Sequence, residues 1–173
     1  MIDGVMELSR IRHVDSRGWF ERIYDSELAL PNTYSPVISQ IAVSQNDKRL
    51  TLRGLHGMKT RRPESKIVEC LIGSIFDVVV DLRTGSPTYL DHMTITLEES
   101  NPRAILIPPG CLHGYLTLTD SSLLCYQFST PYSPDSEIGY RWDEPCFGIK
   151  WPESPEHISH KDLNWSSFGN TNS

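Results

Sequence analysis

Short runs rich in Val, Ile, Leu, Phe and Tyr recur along this chain between turn signals, and long segments with a helical period are nearly absent. The chain therefore reads as all-β. Its clearest strands are predicted at residues 66–71, 75–82, 92–97, 104–107, 114–119 and 122–128. They are parted by Gly73, Gly85-Ser86-Pro87, Asn101-Pro102, Pro108-Pro109-Gly110 and Thr119-Asp120. Strands at this even spacing, joined by tight turns, suit a sandwich or jelly roll whose two sheets bury one another's apolar faces. Val78-Val79-Val80 is apolar on both faces, which predicts a central strand. From Trp142 the composition shifts to Pro, Ser, Glu, His and Asn. The tail, from about residue 143, is expected to wrap the barrel as loop and short helix, with 169–173 frayed.

At 173 residues, 38% of them hydrophobic, the sequence furnishes one ordinary core, and a single domain over 1–173 is expected. No run approaches the eighteen or so apolar residues that cross a bilayer, and the first ten residues lack the basic-then-apolar order of a signal peptide. The expectation is a cytoplasmic protein with no membrane partner. Cys70, Cys111, Cys125 and Cys146 stand singly, without a C-x-x-C pair, and are read as buried free thiols. A net charge of -6 argues against nucleic acid as a partner, because phosphate neutralisation needs a basic surface. A phosphorylated small molecule stays open, since a few convergent Arg and Lys side chains suffice for it.

Chemistry concentrates at four places. In Arg53-Gly54-Leu55-His56 a cation and an imidazole stand three apart on a predicted strand. An odd separation sends side chains to opposite faces, so the two converge only if Gly54 makes a bulge or bend. The bland alternative is a surface arginine and a core histidine. His113 follows the turn Pro108-Pro109-Gly110, and two histidines at strand starts raise the question of a metal. Metal-binding jelly rolls of the cupin type place two histidines one residue apart, whereas Gly57 and Met58 follow His56, so no metal site is expected. Tyr126 and Tyr132 are six apart, but Pro131 makes a regular strand between them implausible. Taken alone, each reads as an amphipathic residue at a sheet rim. His160-Lys161-Asp162 is solvated surface unless the tail folds back on the barrel mouth.

Together these segments say more. The ordered set Asp15, Arg17-Gly18, Phe20, Arg53-Gly54-Leu55-His56, Lys66, Phe76-Asp77, Asp81, Arg83, Ile107-Pro108-Pro109-Gly110, His113-Gly114, Tyr126, Tyr132, Glu137, Arg141-Trp142 and Trp151-Pro152 resembles the dTDP-4-dehydrorhamnose 3,5-epimerase family. The resemblance spans about residues 10 to 163. It implies a cupin-type jelly roll with short helical segments mainly in the tail, forming a homodimer that uses neither metal nor any other cofactor. The implied substrate is a nucleotide-linked 4-keto-6-deoxyhexose, epimerised at carbon 3, carbon 5 or both. By position in the family pattern, His56 would be the base, Asp162 its orienting carboxylate, Lys66 the stabiliser of the enolate oxygen and Tyr126 the acid. Arg53, His113 and Lys161 match positions that hold the sugar or its pyrophosphate. Arg17 and Glu137 match nucleotide-binding positions, and Tyr132 matches a tyrosine that stacks on the base. Phe20 and Gln40 complete the substrate-binding set.

The chain departs from the pattern at Ile41-Ala42, where polar groups usually follow Gln40, at Arg22, where a Glu is common, and at Gly57, which replaces an aromatic. Those departures leave the choice between dTDP and CDP, and between one inverted centre and two, open. A non-catalytic sugar-nucleotide-binding cupin is the alternative from another class.

Overall fold

The computed structural model describes residues 1–25, 27, 38–59 and 63–169. Three short strands open the chain, β1 (Met6–Ser9), β2 (Arg12–Asp15) and β3 (Gly18–Glu21). Eight longer ones follow: β4 (Gln40–Asn46), β5 (Thr51–Met58), β6 (Lys66–Ile72), β7 (Ser74–Asp81), β8 (His92–Glu98), β9 (Arg103–Ile107), β10 (Cys111–Thr117) and β11 (Ser122–Phe128). The tail adds β12 (Glu137–Gly139), β13 (His157–Ile158) and the single helical turn α1 (His160–Leu163). One sheet runs β1-β9-β6-β11-β4 and the other β12-β5-β10-β7-β8, with β13 also pairing β5. This is the all-β sandwich of the jelly-roll type that the strand spacing predicted.

Between the sheets lies a core that includes Val68, Ile75, Val79, Leu97, Ile105, Ile107, Tyr115 and Leu124. Val78 and Val80 point the other way, into a second cluster with Leu55, Leu112 and Phe147, which Trp151 and Phe168 of the tail cover. β7 is therefore buried on both faces, as its unbroken valine run requires, and the tail supplies the outer cover. Removing apolar surface from water at roughly 25 cal/mol per Å² makes this cover a stabilising part of the domain rather than an appendage.

The predicted strands are all found, β11 at its expected bounds and the other five with shifted ends. The largest shift is at β10, which starts at Cys111 rather than 114, because Gly110 closes the preceding turn at φ +84 and pairing begins at once with Cys111 opposite Asp81. His113 consequently lies inside the strand. One cysteine differs from expectation: Cys146 is exposed, in a 3-10 turn of the tail, while Cys70, Cys111 and Cys125 are buried free thiols. Of the segment expected to fray, residues 170–173 lie outside the described residues.

Candidate active site

The bulge foreseen at Gly54 is present. Tyr115 pairs with Arg53 and His113 with His56, so three steps along β5 match two along β10. The extra residue lets Arg53 and His56 face the same cavity while Leu55 packs into the outer cluster. Gly54 has φ +117, and a Cβ there would lie 2.6 Å from Gly114 Cα and 2.8 Å from the His113 carbonyl oxygen. Only glycine permits both that dihedral and that approach.

The cavity, of about 370 Å³, opens between the two sheets. His56 and Arg53 enter it from β5, His113 from β10, and Lys66 and Tyr126 from β6 and β11 of the opposite sheet. Tyr132, Glu137, Lys161 and Asp162 close its rim. Nine of the twelve expected site residues thus meet in one place. No regular strand joins Tyr126 to Tyr132, since β11 stops at Phe128 ahead of Pro131, yet the loop beyond it returns Tyr132 to the cavity.

The tail folds back on the mouth. Ser159 caps α1 by accepting from the backbone N–H of Asp162 at 3.0 Å, and this turn aims the Asp162 carboxylate at β5. There Asp162 Oδ1 lies 2.6 Å from His56 Nε2, and Oδ2 accepts from the Gly54 N–H at 3.4 Å. Burial by itself would raise the Asp162 carboxyl, but its bonds to His56, Gly54 and Ser159 outweigh this and hold it below the usual carboxylate range. The helix turn is seated by Trp165, which packs so closely on Gly139 that a Cβ there would meet its ring at 2.2 Å.

Tyr126 lies on the facing wall, its ring stacked on Phe128 with centroids 5.6 Å apart. Burial, reinforced by the neighbouring Tyr115 hydroxyl, pushes its pKa well above that of a free tyrosine, so it holds its proton at any ordinary pH. Lys66 is buried too. Burial pulls its pKa down, and nearby carboxylates, Glu64 first, pull it back up. Lys161 Nζ donates to Glu137 Oε2 at 2.6 Å, and the Tyr132 hydroxyl donates to the same oxygen at 3.1 Å, which ties the rim together.

Three residues of the cavity's chemistry escaped the sequence reading. Asp77 pairs with His113 Nε2 at 2.6 Å, making a second imidazole–carboxylate dyad. Tyr115 donates its hydroxyl to Asn46 Oδ1 at 3.2 Å, and Arg53 Nε donates to the same oxygen at 2.8 Å. Glu64 lines the cavity beside Lys66. Asp77 and Tyr115 alternate with apolar residues in strand positions, which was the available signal, but one strand does not reveal which face holds the cavity.

The remaining expected residues lie elsewhere. Gln40 lines an adjoining groove of about 250 Å³ with Ile41, Ala42, Glu64, Phe128 and Tyr132, and its Oε1 accepts from the Tyr132 N–H at 2.5 Å. Arg17 and Phe20 do not line either space in this chain. They sit at the β2–β3 hairpin, where Arg17 is exposed and bonded to Asp15 at 2.7 Å and Phe20 is 61% exposed. Among the described residues, no three His, Cys, Asp or Glu side chains gather as a metal would require.

The family model described as dTDP-4-dehydrorhamnose 3,5-epimerase matches residues 1–170. A dTDP-4-dehydrorhamnose 3,5-epimerase of Sinorhizobium fredii is 34% identical over 155 residues, covering 89% of this chain and 80% of that one. Among solved structures, dTDP-6-deoxy-D-glucose-3,5-epimerase of Legionella pneumophila, in complex with dTDP-4-keto-L-rhamnose, matches with a TM-score of 0.89 at 29% identity, over 99% of this chain and 91% of that one. ChmJ, a 3'-monoepimerase of Streptomyces bikiniensis in complex with dTDP-quinovose, matches with a TM-score of 0.86 at 28% identity, over 96% and 84% of the two chains.

Proposed function

The chain belongs to the dTDP-4-dehydrorhamnose 3,5-epimerase family and is a carbohydrate epimerase, and from that premise we propose how its own residues invert a nucleotide-linked 4-keto-6-deoxyhexose. Carbons 3 and 5 of such a sugar flank the ketone, so removing a proton from either leaves an enolate whose charge rests on the ketone oxygen. Inversion needs a base on one face and an acid on the other. His56 and Tyr126 project from opposite sheets into one cavity, and this opposition is the observation that carries the reading.

Asp162, bonded to His56 Nε2, leaves Nδ1 as the basic nitrogen and stabilises the imidazolium once it takes the proton. Lys66 places a positive charge in a water-poor site where the enolate oxygen develops. Tyr126, kept protonated by its burial, returns a proton from the far side. Arg53 and Lys161 supply charge for the pyrophosphate, and the groove beside Tyr132 and Phe128 takes the base.

A homodimer supplies the role that Arg17 and Phe20 lack within one chain. Their hairpin carries exposed Val14, Trp19 and Phe20, and the edge strand β4 exposes Ile41 and Val43. A second copy buries this surface and brings the hairpin to its nucleotide groove. Light scattering at micromolar concentration is expected to give twice the chain mass.

Incubation with dTDP-4-keto-6-deoxyglucose in D2O, followed by proton NMR, tests the whole reading. Each inverted carbon takes up one solvent deuterium, so two deuterons mean a 3,5-epimerase and one means a single-centre enzyme like ChmJ. No uptake at either carbon refutes the chemistry. Ile41 and Ala42 offer the groove no polar side-chain atom, which favours weak discrimination between dTDP and CDP. A dTDP preference of about a hundredfold, roughly 2.7 kcal/mol by titration calorimetry, would overturn that point.

A further inference from the structure

The role proposed for Lys66 requires an ammonium ion, yet its side chain is only 10% exposed and burial favours the neutral amine. The titratable groups around it are Glu64 on its own segment, Asp77 from β7, Cys111 and His113 from β10, Tyr126 from β11 and Glu137 from β12. Only the three carboxylates can offset the cost of its charge. Two of them are engaged elsewhere: Asp77 Oδ2 with His113 at 2.6 Å, and Glu137 Oε2 with Lys161 at 2.6 Å and the Tyr132 hydroxyl at 3.1 Å.

Glu64 is different. Its side chain is 7% exposed, its Oε1 lies 3.8 Å from Lys66 Nζ, and its Oε2 receives only a long 3.5 Å bond from the Thr130 hydroxyl. Among the described residues no other cation pairs with it. Burial pushes its own carboxyl pKa up and Lys66 draws it back, so each group replaces part of the other's lost water. The backbone fixes the arrangement. Glu64 and Lys66 stand two apart and both line the cavity, while Ser65 between them donates its N–H to Ser129 Oγ at 2.9 Å and accepts from the Ser129 N–H at 3.0 Å.

We propose that Glu64 is a positioning residue of the epimerase site, holding Lys66 as an ammonium ion aimed into the cavity and thereby setting the alkaline limit of activity. The inference rests on the enolate-stabilising role given to Lys66, and its test separates the two. Protein labelled with 13C-lysine is titrated by NMR without substrate, the Lys66 signal being assigned by its loss in K66R. Losing an opposite charge at this distance is expected to lower the Lys66 midpoint in E64Q by about one pH unit or more. The alkaline limb of kcat should descend with it, while KM for the sugar nucleotide changes little. E64D, which keeps the charge, should stay nearer the wild-type midpoint and guards against a folding defect in E64Q. An unchanged Lys66 midpoint in folded E64Q overturns the proposal. A lowered midpoint with an unmoved alkaline limb overturns its catalytic half, and with it the role of Lys66, while the ion pair stands.

Discussion

Replacing Asp162 by Asn probes the dyad without changing its shape. When His56 takes a proton, its positive charge forms 2.6 Å from a buried carboxylate. A hydrogen bond to a charged group contributes about 1.5–3 kcal/mol, which converts to a rate loss of roughly 10- to 150-fold. A second effect adds to it. The wild-type carboxylate offers one oxygen to His56 and the other to the Gly54 N–H, whereas an amide has only one oxygen to offer. If that oxygen serves Gly54, the amide nitrogen donates to His56 Nε2, and the imidazole proton is left on Nδ1, the nitrogen needed as base. D162N should therefore be slowed by at least tenfold while H56A, which has no base at all, falls much further. The assay is proton NMR in D2O, following loss of the carbon 3 and carbon 5 proton signals under single turnover. A D162N rate within about twofold of wild type, less than 0.5 kcal/mol, would refute the dyad.

Tyr126→Phe removes only the acid's hydroxyl, so solvent exchange begun by His56 should persist while inverted product is lost, and undiminished product formation would remove Tyr126 from that role. Activity should survive exhaustive chelation, because among the described residues no three His, Cys, Asp or Glu side chains gather to hold a metal; a loss restored by added zinc, iron or nickel would revive a metal reading. Asp81 is buried and accepts from Arg83, Ser86 and Thr88, whose bonds outweigh its burial and hold its carboxyl well below the usual range. D81N should cost about 2–3 kcal/mol at neutral pH. Because the folded pKa lies below the unfolded one, that contribution is whole above about pH 4 and fades as pH falls toward the lower value. Urea unfolding from neutral to acid pH should show the two proteins converging, and parallel stability curves would contradict the assignment.

Much of this architecture was legible in the strand runs from 66 to 128, where apolar alternation and turn residues agree, and the six strands predicted there are all present. The hairpin of β2 and β3 was not legible as strand, because most of its residues are exposed and no buried face imposes a period of two. At the site, the requirement that Gly54 bend the strand followed from the odd spacing of Arg53 and His56 alone. That Asp162 reaches His56 came only through the family resemblance, since 106 residues separate them and nothing local to the tail encodes where it lands. Glu64 shows the same limit from another side. Two residues from Lys66 in sequence it carries no mark of its own, and only the closure of the sheets makes the pair interdependent.

The tail divides the labour of this fold along the chain. All strands of the two sheets other than β12 and β13 are complete by Phe128, and both core clusters between and behind the sheets can gather most of their members from that stretch. His56, Lys66 and Tyr126 all belong to that stretch. The carboxylate that pairs with His56 comes from well beyond the last long strand, on a single turn of helix held by Ser159, Trp165 and Gly139. Shape and reactivity are thus joined in this chain: the same stretch that covers the outer face of β7 with Phe147, Trp151 and Phe168 also carries Asp162 to His56, so a lesion that loosens the cover also loosens the dyad.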